Sequence, residues 1–257
     1  MPALDKWEIT KGVRQYHIAL EPGDVGEYVL LPGDPARSDR VAKYLKNAEL
    51  KASHREHRTF TGDYEGIKVS VCSTGMGCPS TAIAVEELAN IGANTFIRIG
   101  SSAALRPDIN IGDIVISNGA MKNEGTSRFY VPECFPAVPD IGLTYLLTQV
   151  AKELTADTHH QIYSGISASD DAFYSEPEWI QKLIKLGVQN VEMEASALFT
   201  IAHLRGLRAA CICGVSGNLN TGEVIYTTKN TKLAAAWEME IRIVLETIYR
   251  FEQARSA

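Results

Sequence analysis

The fold class that the chain predicts is one α/β domain built around a largely central sheet, and three observations predict it. Short apolar runs alternate with segments of helical periodicity along most of the 257 residues. No repeat, biased tract or linker interrupts that alternation, so residues 1–257 read as a single domain. Several apolar runs also stop at small or polar residues: Gly33–Asp34, Ser73–Gly77, Gly100–Ser102 and Gly214–Gly217. Strands of α/β sheets open onto ligand sites at their carboxyl ends, so a pocket is expected there.

The elements follow in order. YVLLPG (28–33) reads as a strand broken at Pro32–Gly33, and DPARSDRVAKYL starts a helix with Asp34 as N-cap and Pro35 in the first turn. IKVSVCSTGMG (67–77) is a strand that runs into a glycine loop. PSTAIAVEELANIG (79–92) is a helix with Pro79 near its start and Gly92 beyond its end. FIRIG and DIVISNGA are further strands, a helix covers about 141–155, and SGISASDDAFY (164–174) is a strand and loop. VEMEASALFTIAHLRG (191–206) reads as helical and AACICGVSG (209–217) as a strand. The last helix spans about 231–254, with Leu233, Trp237, Ile241, Leu245 and Ile248 at spacings of three and four.

Composition is ordinary for a globular protein, at 45% hydrophobic and 22% charged. A net charge of −6 argues against non-specific nucleic-acid binding, so an anionic ligand would need local cations. MPALDKWEIT lacks the apolar core of a signal peptide, and no apolar run approaches a membrane span. The cysteines at 72, 78, 134, 211 and 213 are odd in number and lack metal spacing. They read as reduced thiols of a cytoplasmic protein, with Cys211 and Cys213 in a strand core.

The stretch NTFIRIGSSAAL (94–105) places Arg98 on an apolar strand beside small residues. A buried cation is tolerated when it is paired, and the space beside it suggests a ligand as partner. Arg37 and Arg55 also stand near such places, and converging guanidinium groups would make a strong oxyanion site. The dull reading makes Arg37 and Arg55 surface ion-pair residues. In VEMEAS, Glu192 and Glu194 lie two apart and do not share a helix face; that spacing alone favours a solvated helix start. STGMGCPS lacks the lysine and spacing of a Walker loop. His54 and His57 read as surface histidines, and His17 as a strand-edge residue or a ligand contact. With no GxSxG elbow, Ser101 is a hydrogen-bond donor and not a nucleophile.

Taken in order, LPGDPARSDRVA, ASHRE, CSTGMGCPSTAIAVEEL, RIGSSAAL, INIGDIVIS, FPAVPD and VEMEASAL closely resemble the nucleoside phosphorylase-I family, and its uridine-cleaving branch within it. The likeness runs from about Tyr16 to the final helix. It implies a mixed sheet, partly barrel-like and flanked by helices, and phosphorolysis of a nucleoside to base and ribose 1-phosphate. By this resemblance Gly33, Arg37, Arg98 and Ser101 bind phosphate, and Arg55 reaches phosphate in a neighbouring subunit's site. His17 likewise crosses to the ribose 5′-hydroxyl, Glu194 holds the 2′- and 3′-hydroxyls with Met193 against the sugar, and Glu192 is a further acid of the site. Phe173 stacks on the base, with Ser102 and Ala103 beside it; Arg98 and Glu194 carry the catalysis. The resemblance implies nucleoside and phosphate as partners, no metal or organic cofactor, and a homo-oligomer of at least a dimer, usually a hexamer as a trimer of dimers.

The chain departs from the pattern at the base. Where uridine enzymes carry a Gln and Arg that read uracil, FYSEPEW (173–179) offers Pro177 and Trp179, and Leu219 replaces a second arginine. The acid that purine enzymes place near Ser216 is absent too, since Gly217 stands there. A phosphorylase for purine or modified nucleosides, a nucleosidase and a non-catalytic nucleoside-binding module therefore stay open beside the uridine reading.

Overall fold

The computed structural model describes residues 10–174, 177–224 and 231–256. The leader reading of residues 1–9, and two residues of FYSEPEW, lie outside them. The first part of the chain forms β1 (Tyr28–Leu31), α1 (Pro35–Ala42), β2 (Lys46–His54), β3 (His57–Tyr64), β4 (Ile67–Cys72) and α2 (Cys78–Asn90). The middle forms β5 (Thr95–Ala104), β6 (Ile114–Asn123), α3 (Ile141–Thr155), β7 (Ile162–Asp170) and α4 (Pro177–Lys185). The last part forms β8 (Asn190–Glu192), α5 (Ala195–Arg205), β9 (Arg208–Asn218), β10 (Glu223–Val224) and α6 (Thr231–Ser256). No helix among the described residues is long and apolar enough to cross a membrane.

All ten strands join one mixed sheet in the order β10-β9-β6-β7-β8-β5-β1-β4-β3-β2. A further β9–β5 pairing closes β5, β9, β6, β7 and β8 into a ring, so the sheet is part barrel and part open wing. Alternate residues of the central strands separate into two cores, as a period of two requires. Leu30, Ile97 and Ile99 pack with Leu147, Val150, Val244 and Ile248 of α3 and α6. Val29, Leu31, Phe96 and Cys211 pack with Val85, Leu88, Leu198 and Ala202 of α2 and α5. The first eight residues of α5 are all buried, which makes it a core helix and not a surface one.

β5 is longer than its apolar run and carries the switch that makes the site. On one edge it pairs in parallel with β1 as far as Leu31↔Arg98. On that edge it next pairs with β8, antiparallel, at Ala103↔Val191. Ile99–Ser102 therefore face no strand there, while β9 follows the other edge throughout. A strand that exchanges neighbours opens a crevice at the exchange.

Several expectations are corrected. The strand does not stop at Gly100 but runs through both serines to Ala104. The helix read from 191 begins at Ala195, because Glu192 ends β8 and its carboxylate accepts the N–H groups of Glu194 (2.8 Å) and Ala195 (2.9 Å). The β2–β3 hairpin was not legible, since β2 is largely exposed and carries little apolar signal. His57 is not on the surface: it is buried on β3, with Nδ1 2.9 Å from the Ser73 carbonyl.

Candidate active site

A cavity of about 670 Å³ fills the crevice, within the range that holds small organic ligands. Strand ends converge on it: Gly33 after β1, Gly75 after β4, Gly100–Ala103 on β5, Asp170 on β7, Glu192 on β8, and Ser216–Gly217 on β9. Arg37, Arg98, Met193, Glu194, Phe173 and Trp237 complete the parts that bear on its chemistry.

Arg98 stands on the same face of β5 as Phe96, looking toward the start of α5, and is 5% exposed. Its Nε donates to Glu192 at 2.9 Å, and its Nη2 pairs with Glu194. The strand-to-helix turn resolves the i, i+2 puzzle, because Glu192 ends a strand and Glu194 caps a helix, so both acids face one cation. Neither is solvated, at 3% and 4% exposed. Glu194 also accepts the Gly77 N–H at 2.7 Å and the Met193 N–H at 3.2 Å. Burial pushes the Glu194 carboxyl up, Arg98 pulls it down, and Glu192 adds to the upward push. Burial disfavours the Arg98 cation, yet Glu194 and Glu192 hold it well above its ordinary range. Gly100 permits this packing: a Cβ there would lie 2.8 Å from Cys213 Sγ and 2.9 Å from Arg98 Nη2.

The second arginine arrives from α1. Arg37 follows the Asp34 cap and Pro35, is buried, and donates to Glu240 of α6 at 2.8 Å. Its guanidinium lies over the Trp237 ring, 4.9 Å from the centroid. Trp237 Nε1 donates in turn to Ser101 Oγ at 3.0 Å. One wall of the cavity thus brings together two guanidinium groups, an indole and a hydroxyl from α1, β5 and α6, each guanidinium being paired with carboxylate. Glu240 and Trp237, like Asp170, were missed by sequence reasoning. Trp237 counted there only as part of the apolar stripe of α6, and 136 residues separate it from Ser101.

The far end is apolar. Ala103, Ile180, Val191 and Leu219 line it, with Phe173 at its mouth, 63% exposed. Ser102 Oγ is buried and has no hydrogen-bond partner among the described residues. Asp170 accepts from the Trp179 indole at 2.8 Å, so Trp179 is tied to the cavity wall.

Two predicted residues lie elsewhere in the single chain. Arg55 sits exposed at the tip of the β2–β3 hairpin in a left-handed conformation, φ 55°, and does not line the cavity. His17 is also outside; its Nδ1 lies 2.5 Å from Glu87, which accepts the His17 and Ile18 N–H groups as well. Among the described residues no cluster of His, Cys, Asp and Glu suits a metal ion.

Comparison with known proteins agrees with this architecture. Residues 27–248 match the family described as the phosphorylase superfamily. A uridine phosphorylase of Thermococcus kodakarensis is 44% identical over 249 residues, covering 88% of each chain. A guanosine phosphorylase of Halorubrum lacusprofundi is 43% identical over 210 residues, covering 81% of this chain and 86% of its own. The crystal structure of a uridine phosphorylase from Vibrio fischeri superposes with a TM-score of 0.84 at 33% identity, over 92% of this chain and 98% of that one. The chain belongs to the phosphorylase superfamily.

Proposed function

We propose that the protein is a nucleoside phosphorylase, a pentosyltransferase that converts uridine and phosphate into uracil and ribose 1-phosphate. The observation that carries the reading is the cavity's lining: it combines Arg37, Arg98 and Ser101, which suit an anion, with Glu194, paired to Arg98, and with the apolar side chains of Ile180, Val191 and Leu219. Uridine phosphorylases of 44% and 33% identity support the choice of reaction and base. Phosphate on the wall, steadied by Gly33, attacks C1′ while the C1′–N bond breaks and its electron pair leaves with the base, which takes up a proton.

The sugar passes through an oxocarbenium-like state. Glu194 serves as acceptor for the 2′- and 3′-hydroxyls, and its charge faces the developing cation. Met193 packs against the sugar, and Glu192, bonded to Arg98, keeps that guanidinium aimed. Holding phosphate beside C1′ removes much of the entropic barrier. The base lies at the apolar end beside Phe173 and Ala103, with the Ser102 hydroxyl buried behind them. Phosphate is the co-substrate, and the reaction asks for no metal or organic cofactor.

Arg55 and His17 complete the site from a second copy, which makes the dimer the minimal active unit, and a trimer of dimers extends it. The reduced cysteines suit a cytoplasmic salvage enzyme. A second reading, phosphorolysis of purine nucleosides, is favoured by one observation: Leu219, at the position where the resemblance implies an arginine, lines the cavity as an apolar side chain. The test is base release from uridine, thymidine, inosine, guanosine and adenosine, each with and without phosphate. Phosphate-dependent release from uridine is expected. Phosphate-dependent release from purines alone would keep the mechanism and overturn the base. Release without phosphate would make the protein a nucleosidase, and no release would leave a binding module.

A further inference from the structure

Glu240 lies behind the anion wall, is completely buried, and is absent from the reaction as described above. Its Oε2 accepts from Arg37 at 2.8 Å, whereas its Oε1 has no partner among the described residues. β9 passes so near that a Cβ at Gly214 would come within 2.8 Å of that oxygen. Among the described residues, Glu240 is the one of the three buried carboxylates around the wall with an oxygen that no donor reaches at ordinary hydrogen-bond geometry. Both oxygens of Glu192 and of Glu194 accept backbone N–H bonds.

Charge counting makes this matter. Two guanidinium groups, Arg37 and Arg98, face three carboxylates, Glu192, Glu194 and Glu240, so the cluster is net −1 when all are ionised (+2 − 3). A dianion entering that cluster is opposed unless a proton comes with it, because uncompensated charge in a buried site is costly. The charges that bear on Glu240 are Arg37 from α1 and, more weakly, Arg98 from β5; β9 contributes the Gly214 backbone, which also favours the ionised carboxylate. On its own helix, Glu238 turns instead to Arg40 at 3.4 Å. Burial lifts the Glu240 carboxyl to about 7, against the pull of Arg37.

We propose that Glu240 is a positioning residue of the anion wall: it aims the Arg37 guanidinium against Trp237 and, when ionised, competes with the incoming anion for that charge. Anion binding is then coupled to proton uptake at Glu240. The inference rests on the reading of Arg37 and Ser101 as the phosphate wall.

The test uses sulfate, a dianion that does not titrate near neutrality as phosphate does. Its affinity is measured calorimetrically at pH 6 and pH 8 for the wild-type protein, Glu240→Gln and Arg37→Ala, in buffers of different ionisation enthalpy. Wild type is expected to bind sulfate roughly tenfold more weakly at pH 8, an ordinary coupling strength, and to take up a fraction of a proton per sulfate near pH 7.5. Glu240→Gln, with a neutral acceptor of the same shape, is expected to lose less than about twofold and to take up no proton. Absence of proton uptake in wild type overturns the proposal without recourse to any variant. If Arg37→Ala loses sulfate while Glu240→Gln keeps the full decline, the wall stands and Glu240 has no such role. If Arg37→Ala binds sulfate as wild type does, the wall itself is misassigned and the proposal falls with it.

Discussion

Replacing Arg98 by alanine tests the site as a piece of protein architecture before any question of turnover. Phosphate binding and phosphorolysis should be lost. The fold should weaken as well. Arg98 is 5% exposed and pairs with two carboxylates that are 3% and 4% exposed. Removing one partner of a buried pair typically costs about 3–5 kcal/mol, because it leaves an uncompensated charge. Glu192 keeps the Ser169 hydroxyl and two backbone N–H donors, so Glu194 bears most of the loss. For a chain of this size, 3–5 kcal/mol corresponds to a fall in Tm of very roughly 10 °C.

The cost has a sign in pH. With Arg98 gone, only upward pushes and two backbone N–H bonds act on Glu194, so its carboxyl titrates at still higher pH and is neutral in acid. The deficit relative to wild type should be large at pH 8 and smaller at pH 5.5. The cavity left by the missing side chain costs the same at both, so the difference isolates the charge. Thermal melts of both proteins at the two pH values make the comparison. A deficit below about 1 kcal/mol at pH 8, or an equal deficit at both pH values, would refute the reasoning.

Three other outcomes are expected. Glu194→Ala should lower kcat/KM for uridine by about 10–100-fold, the worth of charge-assisted hydrogen bonds, and bring the ratio of uridine to 2′-deoxyuridine turnover close to one; retention of the full ribose preference would exclude this role. Gly100→Ala should cost about 1–3 kcal/mol by overpacking and, by displacing Arg98, lower kcat/KM about 100-fold, measured by urea unfolding and steady-state kinetics. Glu240 has a folded-state value of about 7, raised from 4.5, so the folded state holds its proton longer and this group's contribution to stability falls as pH rises from 4.5 to 7. In anion-free buffer, wild type should lose roughly 2–3 kcal/mol more than Glu240→Gln between pH 5 and pH 8, and equal losses would contradict it.

How much was legible in the chain depends on how local each signal was. The β1–α1 turn announces itself through Pro32, Gly33, Asp34 and Pro35, because caps and breakers act within a few residues. Arg98 could be singled out, since a cation on an apolar strand demands an explanation. Its protein partners could not be identified: Glu192 and Glu194 are two apart, and only the change from strand to helix between them turns both toward Arg98. Glu240 and Trp237 were hidden for another reason. Their role comes from α6 crossing the carboxyl ends of β5 and β9, a long-range packing that no local pattern encodes. The β2–β3 hairpin, poor in apolar residues, carried too little periodicity to be read.

Phosphorus NMR of uridine incubated with inorganic phosphate and the protein tests whether phosphate held at Arg37, Arg98 and Ser101 is the nucleophile at C1′. A ribose 1-phosphate signal is expected to grow in step with released uracil while inorganic phosphate declines equally. Uracil accompanied by free ribose, with the phosphate signal unchanged, would contradict it.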